Sequence, residues 1–146
     1  MDYNQEATYF GAHSSNHAEN AQPEIGLLKD YMLRGASLSA RALMAKFNRS
    51  CVGEEVGLTF PSHLAPYGLD AAIGPSPNGD QRIRWNGEYG MSVLLWDWEY
   101  SHNLTTLRDV TWPLLTGFAQ KWRCWLKPVP SIGAPGGYLL VNYDGE

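Results

Sequence analysis

Apolar residues recur at helical spacing along QPEIGLLKDYMLRGASLSARALMAKF, where Leu28, Met32, Ala36, Ala40, Leu43 and Phe47 lie three or four positions apart and trace one stripe. The pattern predicts a single long amphipathic helix, with Pro23 suited to its first turn and Glu24 to the positive end of its dipole. Gly35 inside the run costs about 1 kcal/mol relative to alanine, which points to a close helix contact or a bend at that position. From Cys51 to Gly87 neither the helical nor the strand period persists, and Pro61, Pro66, Pro75 and Pro77 with repeated glycine predict a long loop. Loops of that length in a compact domain often line a functional site, a solvent-exposed connector being the plainer alternative.

The next run, EYGMSVLLWDWEYSH, is apolar on nearly every side: Met91, Leu94, Leu95 and Trp98 share one face, and Val93, Trp96 and Tyr100 occupy much of the other. A helix of that kind seeks burial all round. Beyond a short turn at Asn103, LTTLRDV and then WPLLTGFAQKWRCWL predict its partner, with Pro113 in a first turn, Leu114, Phe118, Trp122 and Trp125 at helical spacing, and Pro128 past the end. The pair reads as an αα-hairpin, an inner helix under an outer cover, with Trp96, Trp98, Trp122 and Trp125 in the core. KPVPSIGAPGG is a Pro/Gly loop, and YLLVNY predicts a short β segment near the C-terminus. Neither a solenoid-type repeat nor a low-complexity tract is visible. The expected architecture is one all-α domain over residues 1–146 with long loops.

Composition narrows the function classes. The 146 residues are 44% hydrophobic and 18% charged, ordinary for a folded globular domain with a core. A net charge of −4 with 11 basic residues spread along the chain leaves no concentrated cationic surface for phosphate backbones, so nucleic acid is not an expected partner. No apolar run reaches the ~18 residues that a membrane helix needs, and the opening residues lack the basic and apolar regions of a secretory signal; no membrane partner is expected. The two cysteines, Cys51 and Cys124, could form at most one bridge, fall in no CxxC or metal-ligand pattern, and read as buried thiols in preference to a bridge. Asn48-Arg49-Ser50 and Asn103-Leu104-Thr105 fit the acceptor pattern for N-linked sugars, which arises often by chance and matters only in a secreted chain.

Several familiar chemistries find no support. GAPGGY lacks the following helix and the Lys-Ser/Thr pair of a phosphate cradle. His13 and His17 in HSSNH would share a helix face, but spacing places no third metal ligand, so they read as surface or hydrogen-bonded histidines. No serine sits in a nucleophile elbow and neither cysteine has a nominated histidine partner. Carboxylates, amides and aromatic rings remain, and these are the groups of carbohydrate chemistry: an acid for the glycosidic oxygen, a polarised water, and flat rings against the apolar faces of sugars. No metal and no cofactor are expected.

The chain resembles the first half of the (α/α)6-toroid catalytic domain of glycoside hydrolase family 95, the α-L-fucosidase-type enzymes. In that family an Asn-x-Asn pair is followed by Thr-Glu and, two residues on, by Tyr-Trp-Pro; here DYNQEATYFG keeps Asn4, Glu6 and Tyr9 in register, with Asp2 in place of the first Asn and Phe10 in place of Trp. The long helix, the loop FPSHLAPYGLD, the inner helix, its LRDVTWPLLTGFAQKWRCWL partner and a closing GGYLLVNYDGE follow in the family's order. The resemblance implies a partial toroid of helical hairpins, since twelve helices of ~11 residues with connections exceed this length, and hence a fragment of a larger domain. It also implies inverting hydrolysis of a terminal glycosidic bond, with Asn4 holding the attacking water, Asp2 assisting and Glu146 protonating the departing oxygen; Asp144 is the rival for that acid. Trp85, in the loop ahead of the inner helix, is the candidate for stacking on sugar, with His63, Asp70 and Tyr9 as further substrate-binding candidates.

An expectation from a different class stands beside this one. The chain would then be a non-catalytic helical carbohydrate-binding or scaffold remnant that kept the packing and lost the chemistry. In both cases a half toroid leaves inner-helix surface uncovered, so self-association is expected of the chain on its own.

Overall fold

The computed structural model describes residues 7–46, 51, 55–61, 64–65, 69–70, 86–128 and 138–139. They form a mostly helical, all-α arrangement with two short antiparallel ladders. After a series of turns over residues 8–16 and a 3-10 turn at Ala18–Ala21, helix α1 runs Gln22–Arg34 and α2 runs Ala36–Lys46. The single long helix expected over this stretch is therefore two, divided at Gly35.

At Gly35 the backbone leaves the α-helical region, with φ −131° and ψ −23°. A Cβ on Gly35 would lie 2.5 Å from Cε2 of Tyr31, so the aromatic ring of α1 occupies the space that a side chain would need there. The Tyr31 hydroxyl is hydrogen-bonded to Ser39 Oγ across the break. Downstream, buried Ala36, Ala40, Leu43 and Met44 turn α2 toward its neighbours, the alanines permitting close approach. The Phe47 end of the expected stripe lies outside the described residues.

The inner helix, α3, spans Asn86–Ser101. Met91, Val93 and Leu94 enter the main core with Ile25, Leu28 and Tyr31 of α1. All-round burial is not what this helix achieves: Leu95 is 43% and Tyr100 60% exposed, because the described elements pack against α3 mainly from one side. For the same reason only Trp125 of the four tryptophans assigned to the core is buried, while Trp96, Trp98 and Trp122 are half-buried on the rim.

His102, at φ 52°, reverses the chain after α3, and Asn103 starts the next helical path by accepting at Oδ1 from the backbone N–H of Thr105 and of Thr106, both at 3.1 Å. A turn at Leu104–Thr106, a π-helical stretch at Leu107–Thr111 and helix α4 at Trp112–Trp125 follow without interruption. Pro113 accounts for the wide turn. It has no N–H for the carbonyl four residues back, and Trp112 N–H donates to Leu107 O five back instead. The expected αα-hairpin is thus present, with Leu114 and Phe118 of α4 buried in the same core as α3.

Part of the long loop belongs to the core as well. Phe60 is fully buried, its ring 5.2 Å from that of Tyr31 and 5.4 Å from that of Phe118. Residues 55–61 are anchored by Leu58 N–H to Gly117 O (3.0 Å) and Thr59 N–H to Ala36 O (3.1 Å). This part of the loop is packed against the helices and is not a solvated connector. Cys51 is joined to Cys124 in a disulfide with Cα atoms 5.1 Å apart, which corrects the reading of both as free thiols. The route of 55–61 over α4 brings one cysteine to the other, beside a second apolar cluster of Leu43, Met44 and Trp125.

The ladders are two residues long per strand. β1 (Leu64–Ala65) pairs with β2 (Leu69–Asp70) in the register Leu64↔Asp70, and β3 (Lys127–Pro128) pairs with β4 (Tyr138–Leu139) in the register Lys127↔Leu139. The second ladder falls where YLLVNY predicts an extended segment.

Candidate functional site

The turns before α1 bring Tyr9 and Phe10 onto the N-terminal half of α3. The Phe10 ring meets Tyr89 edge-on at 6.4 Å and Trp96 edge-on at 5.4 Å, the geometry that ring quadrupoles favour. Beneath them lies the carboxylate of Glu24, buried in the first turn of α1. Tyr9, Phe10, Glu24, Tyr89 and Trp96 together wall a pocket of about 10 Å³, room for about one water molecule. The Tyr9 phenol is held above the usual tyrosine value, first by burial and then by the negative charge of Glu24.

Of the nominated residues that are described, Tyr9 stands in this pocket. Asp70 lies in the β1–β2 ladder opposite Leu64, on a separate element. Asp2, Asn4, His63, Trp85, Asp144 and Glu146 lie outside the described residues. Sequence reasoning overlooks Glu24, Phe10 and Trp96 as pocket residues. Glu24 had a signal, since it sits four residues before Leu28 in the register of the apolar stripe, where a carboxylate is out of place unless it has a task beyond complementing the helix dipole.

Two contacts between titratable side chains, one wholly and one partly buried, are not apparent from spacing. His13 Nε2 approaches Asp97 Oδ1 at 3.5 Å, both side chains almost wholly buried, with the Tyr100 ring 6.1 Å from the imidazole. That separation is too long for a well-formed hydrogen bond. His17, four residues on, is exposed and pairs instead with Glu19 at 3.0 Å, an interaction that holds the Glu19 carboxyl below its ordinary range. The two histidines diverge because the chain from 8 to 16 is a series of turns rather than a helix. Among the described residues no three metal-ligating side chains converge. Ser101 Oγ donates to the backbone carbonyl of Asp97, so it is turned to its own helix and not to His13.

The second pair joins Lys121 Nζ to Glu88 Oε1 at 2.5 Å, the ammonium also lying 4.2 Å from the centre of the Trp122 ring. Lys121 is 1% exposed. Burial pushes its pKa below the ordinary 10.5, and the Glu88 carboxylate pulls the other way. The unfolded chain therefore holds this proton more tightly than the folded one, so stability is expected to rise with pH from the folded pKa of Lys121 up to about 10.5. Glu88→Gln removes the carboxylate that offsets the burial of the ammonium and should lower stability by about 1 to 3 kcal/mol, whereas the double change Glu88→Gln/Lys121→Met should recover most of it. Urea denaturation across pH 7–11 checks both, and equal losses in the single and double variants would contradict the pairing.

A larger cleft of about 350 Å³ lies between α2, the 55–58 segment and α4, with Arg41, Glu55, Thr116 and Gln120 among its polar lining. It is of small-molecule size, and its described lining holds no aromatic ring. No protein-family model matches the chain, and no characterised protein or solved structure matches it either.

Proposed function

We propose that the chain is part of a carbohydrate-active (α/α) domain, a partial toroid of helical hairpins of the inverting α-L-fucosidase type, with Tyr9 at the edge of the sugar site. One observation carries the reading: Tyr9 lies beside a buried carboxylate, Glu24, and three further aromatic rings, Phe10, Tyr89 and Trp96. These are the group types that sugar recognition employs. Hydrolysis by inversion would take Asn4 and Asp2 for the water and Glu146, or Asp144, for the acid, with acid and base ~6.5–9.5 Å apart. The substrate is a carbohydrate. No nucleic acid or membrane partner is proposed; among the described residues no helix is long and apolar enough to cross a bilayer. Exposed Leu95 and Tyr100 on α3 favour self-association of the chain alone.

The pocket's volume of about 10 Å³ admits a water molecule and no pyranose ring, which favours the second reading in its scaffold form, a non-catalytic remnant that kept the packing. Aryl-fucoside hydrolysis separates the two when this chain is compared with a longer one carrying further helical hairpins. Turnover by the longer chain, lost on Glu146→Gln or Asn4→Ala, supports the enzyme. Failure of both chains to hydrolyse supports the remnant, as a binding module where fucose binding is retained and as a scaffold where it is not.

A further inference from the structure

The sugar-acceptor tripeptide Asn103-Leu104-Thr105 takes on new weight once its surroundings are known, and we propose that Asn103 is a site of N-linked glycosylation. The first support is the compartment. Cys51 and Cys124 are joined across 73 positions of sequence, and a structural disulfide of this kind persists where the environment is oxidising, as in the secretory lumen, and not in a reducing cytosol. That supplies the condition under which the tripeptide carries meaning.

The second support is the side chain itself. Asn103 stands in the corner between α3 and the helical path to α4, its Oδ1 committed to the N–H groups of Thr105 and Thr106. Nδ2, the atom that bears the sugar, is engaged by no described residue. Replacing one Nδ2 hydrogen by a glycosyl carbon leaves the carbonyl oxygen and its two hydrogen bonds untouched, so the modified residue still caps the helix. Neighbouring His102, Leu104 and Thr105 are all exposed, leaving an oligosaccharide a clear exit.

The third support is what the corner exposes. Leu104 is 69% and Tyr100 60% accessible, two large apolar groups flanking the acceptor. A sugar attached between them would cover that surface, its own apolar face against Leu104 or Tyr100 and its hydroxyls outward.

The donor is a polyprenyl-diphosphate-linked oligosaccharide. The Asn103 Nδ2 forms the bond to the anomeric carbon, the bond from that carbon to the diphosphate oxygen breaks with its electron pair, and one Nδ2 proton passes to a base of the transferring enzyme. No oxidant or reductant is needed.

The test is expression of the chain behind a cleavable secretion signal in a eukaryotic cell, with site-specific peptide mass spectrometry on total lumenal protein, secreted or retained. An amidase that removes N-linked sugar and leaves aspartate should convert Asn103 to Asp. Thr105→Ser should keep the modification. Thr105→Ala should abolish it, and since that variant retains the Asn103 cap, its loss cannot be put down to misfolding at the corner; Asn103→Gln should also abolish it. An unmodified Asn103 in the wild-type protein, or sugar persisting at Asn103 in the Thr105→Ala variant, overturns the proposal.

Discussion

Reduction of the Cys51–Cys124 bond, or its removal by the paired change Cys51→Ala/Cys124→Ala, is expected to lower the unfolding free energy by about 4 kcal/mol. The bond spans 73 positions, so cutting it restores to the unfolded chain the conformational freedom of a long closed loop. The folded state loses little contact, since both cysteines are only half-buried. For a domain whose whole stability is ~5–15 kcal/mol, the change is large. Guanidinium denaturation with and without a reductant measures it, and coincident midpoints would show that the bond contributes nothing.

Gly57→Ala should have an effect of similar size, about 3 to 5 kcal/mol, through the folded state instead. Gly57 adopts φ +79°, and a Cβ there would fall on Gly117 O and Lys121 N of the α4 backbone. Main-chain atoms of a packed helix cannot turn aside as a side chain can, and the left-handed conformation itself disfavours alanine. The whole 55–61 segment would have to lift from α4, taking Phe60 out of its place between Tyr31 and Phe118. Thermal unfolding followed by circular dichroism reads the loss; a midpoint within a degree or two of the wild type would mean that the segment is not held against α4 as described.

These two positions also mark where the sequence stops being legible. Helix α4 and its hairpin with α3 follow from the period of Leu114, Phe118 and Trp125 and from the turn at Asn103, because local spacing decides them. The break at Gly35 is half legible: glycine signals a weak point, but not whether the helix bends there or ends. Phe60 sits in an aperiodic, proline-rich stretch and carries no periodic signal for burial. The disulfide likewise joins cysteines whose spacing belongs to no motif, and only the path of 55–61 brings them together.

The site divides in the same way. Tyr9 is nominated only through the resemblance of DYNQEATYFG to a family motif, and its pocket partners come from α1 and α3, brought in by folding. Glu24 serves two readings at once, dipole complement and buried carboxylate, and sequence favours the blander one. His13 and Asp97 lie far apart in the chain, and nothing in HSSNH or LLWDWEY announces that they meet. Asp2, Asn4, Trp85 and Glu146 rest on the family resemblance alone.

The burial of Phe60 bears on how the molecule forms. The α3–α4 hairpin is built from contacts close in sequence and can assemble quickly, but the aromatic that fills the space between Tyr31 and Phe118 arrives from a loop distant from both. Closing that loop carries an entropic cost before any contact offsets it. The helices should therefore dock late and together, with Phe60 entering as a keystone, and native-state hydrogen exchange should find α1 and α4 opening as one unit rather than two.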